Sequence, residues 1–509
     1  MKLRLAALLL PSLLLPLLAT RADSLPSTLT HFTTQPLPGY HTQPGTRQLP
    51  YRYGPPSGSS PKLRLAYWNE VALQTMGIDH ALPIDPNLSP MPEQLGPTRT
   101  SRVMAIVQIA VFDALNAIYR RYPAYSAPLA AFADSSPDAA AAQATHDTLV
   151  ALYPRQRARL DALLKADLAR LPGGRATLDG IDIGRRAAQA ILTLRADDGI
   201  YQGEPVVGQD YLVSYAPGKW RPDPVSRTPI ALGAYWSDAH TFVVGPIDHY
   251  RPPPPPALTS AAYTQAFDEV KRVGGDGIHT PTRRTPEQTV IGIYWGYDGT
   301  PWLGSPVRMY NQIAVQLALP RAADALELAR ALALVDVAIA DAVVAVWDTK
   351  YRYDFWRPIT GIREASPGSG PTGIGDGNPD TRGDPGWTPL GAPASNLIGP
   401  NFTPPFPSYT SGHAGIGGAL FQMLRHLYGD ALAFTFVSDE WNGITRDNHG
   451  KVRPRIPRSY RSLSQAEAEA GQSRIYLGVH WQFDKTEGVA TGHIVADDVF
   501  LRGLVRPAN

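Results

Sequence analysis

A chain of 509 residues that is 43% hydrophobic and carries a net charge of +2 can bury a large core. It shows none of the basic excess of a nucleic-acid-binding protein. With no cysteine it forms neither disulfides nor thiolate metal sites, so its stability has to come from core burial.

The first 22 residues read as a secretory signal. Lys2 and Arg4 form a positive start, residues 5–18 an apolar run, and Thr20, Arg21 and Ala22 a cleavage site. The run is short and interrupted by Pro11 and Pro16, which argues against a membrane-spanning helix. No later segment reads as a span either, so the expected location is secreted or periplasmic. Residues 23–97 are rich in Pro, Gly, Ser and Thr and predict a loop-rich N-terminal extension.

Residues 98–121, 137–152, 155–171 and 177–198 carry helical apolar spacing and much alanine. Residues 199–258 lose that periodicity and end in a stiff proline run at 252–256. Helices are predicted again at 260–273, 286–297 and 307–319. The stretch 322–347 is apolar nearly all round, as a central buried helix should be, and it delivers Lys350 at its carboxyl end. A Gly/Pro loop follows at 364–405, then helices at 413–428 and 465–501. In the last of these, Gly488, Gly492 and Ala496 recur every four residues, which permits close helix packing. The expected fold class is all-α, divided into a helical bundle at 98–320 and a second at 321–509.

Three motifs in the last third carry the chemistry: residues 350–358 (KYRYDFWRP), Ser411-Gly412-His413, and residues 473–484 (SRIYLGVHWQFD). They supply three cations, two histidines, a hydroxyl, a small-residue turn and a carboxylate. That inventory suits a tetrahedral oxyanion such as phosphate or vanadate. Lys350, Arg357 and Arg474 can neutralise two to three negative charges, and arginine forks match pairs of oxygens. At an effective dielectric near 20, each contact at ~4 Å is worth about 4 kcal/mol before desolvation. His480 and Asp484 are four apart, so on a helix they share a face and the carboxylate can accept the ring N–H. This fixes the tautomer and leaves the other nitrogen free to bind a metal or attack phosphorus. Pro358 is expected to end the helix that carries Lys350. Ser411 and Gly412 offer a hydroxyl and a backbone N–H, with His413 beside them as acid–base.

Lys-x6-Arg-Pro, Ser-Gly-His and Ser-Arg-x5-His-x3-Asp together resemble the signature shared by vanadium-dependent haloperoxidases and acid phosphatases of the phosphatidic-acid-phosphatase type. The match holds at every defining position, in order. Thr410 is a departure, standing where a proline commonly precedes Ser-Gly-His. Trp347 and Phe406 resemble the chloroperoxidase-like branch, whereas algal bromoperoxidases tend to carry histidine at the Phe406 position; core packing is the alternative reading of both aromatics. Residues 294–299 (YWGYDG) resemble the haloperoxidase segment whose aspartate backs the site arginine, which points to Asp298 as the partner of Arg474.

The resemblance implies two four-helix bundles with the anion site in the C-terminal one, and vanadate(V) as cofactor. It implies that His480 binds vanadium while Lys350, Arg357, Ser411, Gly412 and Arg474 hold the oxygens. Asp298, Asp484, Trp347 and Phe406 would stand behind them. His413, His480 and Lys350 would be catalytic in oxidising bromide, or chloride, with hydrogen peroxide to hypohalous acid. That acid would halogenate small organic acceptors, and the chain could self-associate as a homo-oligomer. The alternative is a secreted acid phosphatase that forms a phosphohistidine at His480, with His413 as leaving-group acid. A non-catalytic anion scavenger would need neither His413 nor the His480–Asp484 pair. Asp376-x-Asn378-x-Asp380 starts like a calcium loop, but Trp387 occupies the place of the closing glutamate, so it reads as a solvated insertion. His146, His426 and His493 read as packed or surface residues.

Overall fold

The computed structural model describes residues 41–81, 92–200 and 203–504; the expected signal at 1–22 lies outside them. The helices are α1 (Pro61–Asp79), α2 (Gly96–Tyr119), α3 (Pro137–Leu152), α4 (Arg157–Leu168), α5 (Arg175–Leu194), α6 (Ala261–Val273) and α7 (Pro286–Tyr294). They continue with α8 (Pro306–Ala318), α9 (Ala325–Tyr353), α10 (Pro358–Glu364), α11 (Gly412–Tyr428), α12 (Leu463–Tyr476) and α13 (Gln482–Arg502). Among the described residues, sheet is confined to an antiparallel pair, β1 (His41–Thr42) with β2 (Leu397–Ile398), and a hairpin of β3 (Phe434–Asn442) with β4 (Arg455–Tyr460). The fold is all-α, as the composition and periodicity lead one to expect.

The organising element is α9, whose 29 residues extend roughly 43 Å at 1.5 Å each. Asp324 caps its start by accepting from the Glu327 N–H, and Asp354 ends it in the left-handed region. One side of α9 packs on α2, which with α1, α3 and α5 forms the N-terminal bundle. Its other side packs on α8, α11 and α13, with α12 laid against α11. A single apolar core therefore runs through both bundles, from Leu65 to Leu504. The division expected at 320/321 falls just before this shared helix.

α11 and α13 approach to backbone contact. A Cβ on Gly488 would lie 2.8 Å from the Ser411 carbonyl oxygen, and one on Gly492 would lie 2.3 Å from that of Gly415. No larger residue fits without pushing the helices apart.

Four local expectations need correction. Within residues 23–97, the part that the structure describes includes the 19-residue helix α1, which a loop reading did not anticipate. That helix is buried on nearly every side, with Arg64, Asn69, Glu70 and Gln74 inside, so it carries no polar stripe for periodicity to reveal. Pro358 does not end the Lys350 helix; α9 stops at Tyr353, and Pro358 opens α10 with Arg357 as its cap. The single helix expected at 465–501 is two, separated at residues 477–481, where Gly478 turns at φ +72 and a Cβ would meet the Gly274 carbonyl at 2.5 Å. Finally, α2 is long and apolar enough to cross a membrane, but it is wholly enclosed by protein, as befits a core helix.

Candidate active site

Four elements converge below the carboxyl end of α9: the start of α10, the start of α11, the end of α12 and the turn into α13. An aromatic cluster that includes Trp356, Tyr409 and Trp481 supports them, and Gly361 of α10 lets Trp481 come close. Lys350, Arg357, Arg474, Ser411, His413, His480 and Asp484 are all buried here. Three buried cations thus face the carboxylates of Asp298 and Asp484, an arrangement short of negative charge.

His480 sits in the α12–α13 turn, not on a shared helix with Asp484. Its Nδ1 lies 2.8 Å from Asp484 Oδ2, which also accepts from the Trp481 N–H at 3.0 Å and from the Ser408 hydroxyl. Asp484 therefore caps the first turn of α13 and orients the imidazole at once. Burial raises its carboxyl to about 6, although these donors oppose the shift. His480 Nε2 faces Arg357 Nη1 at 3.0 Å. Burial, then the charges of Arg357 and Lys350, hold the ring pKa far below its ordinary value. The ring is neutral, with its lone pair on Nε2.

Arg357 also donates to the carbonyls of Phe406 (2.9 Å) and Val479 (2.8 Å), and burial draws its pKa down to about 9. Arg474 forks onto Asp298 at 3.1 and 2.8 Å. Two guanidinium nitrogens, Arg357 Nη2 and Arg474 Nε, are buried without any hydrogen-bond partner. A buried donor left unpaired costs about 1–3 kcal/mol, more when charged, so two together mark a place for an acceptor. Ser411 caps α11, leaving the N–H groups of Gly412 and His413 in the first turn, where none has a partner within the helix.

Lys350 is placed differently from a simple anion ligand. Its ammonium donates to the carbonyls of Pro407 (2.9 Å), Ser408 (3.1 Å) and Thr410, which uses all three of its donors. Burial and the neighbouring Arg357 press its pKa well down. Thr410, at the proline position of the motif, is buried and anchors Lys350 through its backbone. His413 donates from Nε2 to the Gly296 carbonyl at 2.6 Å, 4.0 Å from Asp298. Burial, then Arg474, lowers the pKa of His413 to about 4. The Trp347 and Phe406 rings pack tilted at 54° with centroids 5.1 Å apart beside the site, with Lys350 Nζ 4.9 Å from the Phe406 ring.

Sequence reasoning missed Ser408, the Gly296 carbonyl and Tyr310, whose hydroxyl holds the His413 carbonyl at 3.0 Å. Ser408 stands three residues before Ser411, so the motif's own neighbourhood held that clue. The other two contacts have no local signal. Away from the site, Asp376 closes a turn on the Asn378 N–H and the Thr381 hydroxyl, and no cluster of three or more metal-ligating side chains occurs among the described residues.

Residues 330–504, which run from α9 to α13, match the family model of the VCPO second helical-bundle domain. The vanadium chloroperoxidase of Curvularia inaequalis is 38% identical over 275 residues, covering 47% of this chain and 43% of that protein. The chain thus aligns with less than half the length of this curated relative. A bacterial vanadium-dependent iodoperoxidase structure superposes with a TM-score of 0.68 at 22% identity, over 91% of this chain and 100% of that one. A holo-type bacterial vanadium-dependent chloroperoxidase gives 0.58 at 18% identity, over 83% and 96%. At these identities the two structural likenesses are likenesses of fold.

Proposed function

We propose, for a chain that belongs to the vanadium-haloperoxidase family through its residues 330–504, that it oxidises halide with hydrogen peroxide using bound vanadate. The residues present fit a tetrahedral oxyanion. The observation that carries the reading is the pair of orphaned donors, Arg357 Nη2 and Arg474 Nε, buried beside a neutral His480. Arg357, Arg474, the Gly412 N–H and the Ser411 hydroxyl would hold oxygens, and His480 Nε2 would bind the metal. Bound vanadate would supply a Lewis acid that activates hydrogen peroxide.

The protein's share is binding, orientation and proton handling. Asp484 and Ser408 lock the His480 ring with its lone pair on Nε2. With its three donors committed to carbonyls, Lys350 contributes charge at short range more than a free N–H. His413 Nε2 is tied to Gly296, so a proton arrives and leaves at Nδ1. At neutral pH the ring is unprotonated and can take the proton of incoming hydrogen peroxide. Bromide and chloride both suit this scheme, and the N-terminal 22 residues extend the proposal to an exported enzyme.

The phosphatase reading rests on the same unprotonated Nε2, which is a competent nucleophile toward phosphorus. One experiment separates the two. Enzyme purified in phosphate buffer should be inactive in peroxide-dependent bromination, excess orthovanadate should restore it, and phosphate should slow the recovery competitively. Orthovanadate should also raise the melting temperature, because a ligand bound only by the folded state stabilises it. No bromination and no thermal shift, alongside ready hydrolysis of phosphate esters, would replace the haloperoxidase reading with the phosphatase one.

A further inference from the structure

Beside the anion cradle opens a cavity of about 120 Å³ with an apolar wall. Ile230 and Leu232 line it from the N-terminal half, Trp347 from α9, and Leu397, Phe402 and Phe406 from the segment before α11; His413, Arg474 and His480 stand at its polar floor. Halide and hydrogen peroxide do not explain this wall, because both are hydrophilic and apolar surroundings cost them hydration. The lining is that of a pocket for a small organic molecule, with a few polar groups gathered at one end.

The wall is also firmly built. The Leu232 N–H donates to the Pro405 carbonyl at 3.0 Å, and the Leu232 carbonyl accepts from Trp347 Nε1 at 3.1 Å and from the Tyr351 hydroxyl at 2.8 Å. Gly233 follows with φ +75, and a Cβ there would fall 2.3 Å from Trp347 Nε1, so a glycine is needed for this segment to close on α9. Three hydrogen bonds to the C-terminal half of the chain thus hold the Leu232 backbone at the mouth of the site.

We propose that this cavity binds an electron-rich aromatic acceptor, so that oxidised halogen is delivered in place instead of escaping to solvent. The proposal rests on the halide-oxidation reading above. Hydrogen peroxide is the oxidant: bromide, hydrogen peroxide and a proton give hypobromous acid and water. The bound ring then supplies an electron pair, a C–Br bond forms as the O–Br bond breaks, and the departing hydroxide leaves with the ring proton as water. The rings of Trp347 and Phe406 in the wall suit an aromatic guest, since offset and edge-on ring contacts add to burial.

The test uses the full-length protein and 1-naphthol as the probe. Without peroxide, 1-naphthol should raise the melting temperature of the wild type saturably, and Leu232→Arg, which fills the cavity with a charge, should lose that shift. In vanadate-loaded turnover with bromide, the ratio of 2-bromo to 4-bromo product should depart from that given by reagent hypobromite, and in Leu232→Arg it should return to the reagent ratio. Ile230→Glu carries the same test if Leu232→Arg does not fold. Absence of a saturable shift in the wild type, or a wild-type isomer ratio equal to that of hypobromite, overturns the proposal. If the wild type makes no triiodide from iodide and peroxide, the halide-oxidation reading fails instead, and the peroxide-free shift still decides whether the cavity takes an aromatic guest.

Discussion

His480 earns its place through its neighbours more than through its own chemistry. Nδ1 is held by Asp484, Nε2 is unprotonated because burial and two nearby cations exclude a third positive charge, and Ser408 stiffens the carboxylate. His480→Ala should therefore abolish vanadate-dependent bromination, the vanadate thermal shift and any phosphate-ester hydrolysis together, because one atom serves all three. Wild-type bromination by that variant would show that the role given to His480 is wrong. Ser408→Ala is the subtler test. It leaves every proposed vanadate contact in place but removes a donor from Asp484, and losing such outer support costs roughly 10- to 100-fold in affinity. Titrating orthovanadate against the melting temperature of this variant should show the loss, and an unchanged affinity would reduce Ser408 to a packing residue.

The α11–α13 pair shows how an element sets the site. The glycine spacing in α13 was legible in the sequence, since small residues every four positions make one smooth face. Its consequence was not, because only the fold reveals that Gly488 lies under Ser411, the cap of α11, whose own N–H is bound to the Asp484 carbonyl at 2.9 Å. Gly488→Ala and Gly492→Ala should each destabilise by about 1–3 kcal/mol through overpacking. Only Gly488→Ala should also weaken orthovanadate binding, because it displaces the start of α11. Equal orthovanadate affinity in the two variants, measured by thermal titration, would disconnect the helix contact from the site.

Across the whole molecule, the bundles are joined by a buried polar chain as well as by apolar packing. Gln108 of α2 donates to Asn69 of α1 at 2.6 Å, Asn69 donates to Asn311 of α8 at 2.7 Å, and Asn311 donates to Asp336 of α9 at 2.7 Å. Burial raises the Asp336 pKa to about 8. Because the folded value lies above the unfolded one, its contribution is fully present below pH ~4, and it is lost as pH rises toward 8. Asp336→Asn removes that dependence, so the stability of the variant relative to wild type should grow with pH between ~4 and ~8 by up to about 1.4 kcal/mol per unit. Melting curves at several pH values check this, and a gap that stays constant would mean that Asp336 is ionised in the folded protein. The all-α class, the buried character of α9 and the inventory of Lys350, Arg357, Ser411, Gly412, His413, Arg474, His480 and Asp484 were legible before any fold was known. Those features are written in composition and short spacings, which a chain cannot hide. It took the folded chain to show that Lys350 is committed to carbonyls, that His413 leans on Gly296 at a separation of 117 residues, that Ser408 grips Asp484 across 76, and that Leu232 walls the site 115 residues before Trp347. Such contacts depend on how distant segments pack, and no local pattern encodes them. The burial of α1 was hidden for the complementary reason: a helix enclosed on nearly every side has no continuous wet face to betray it.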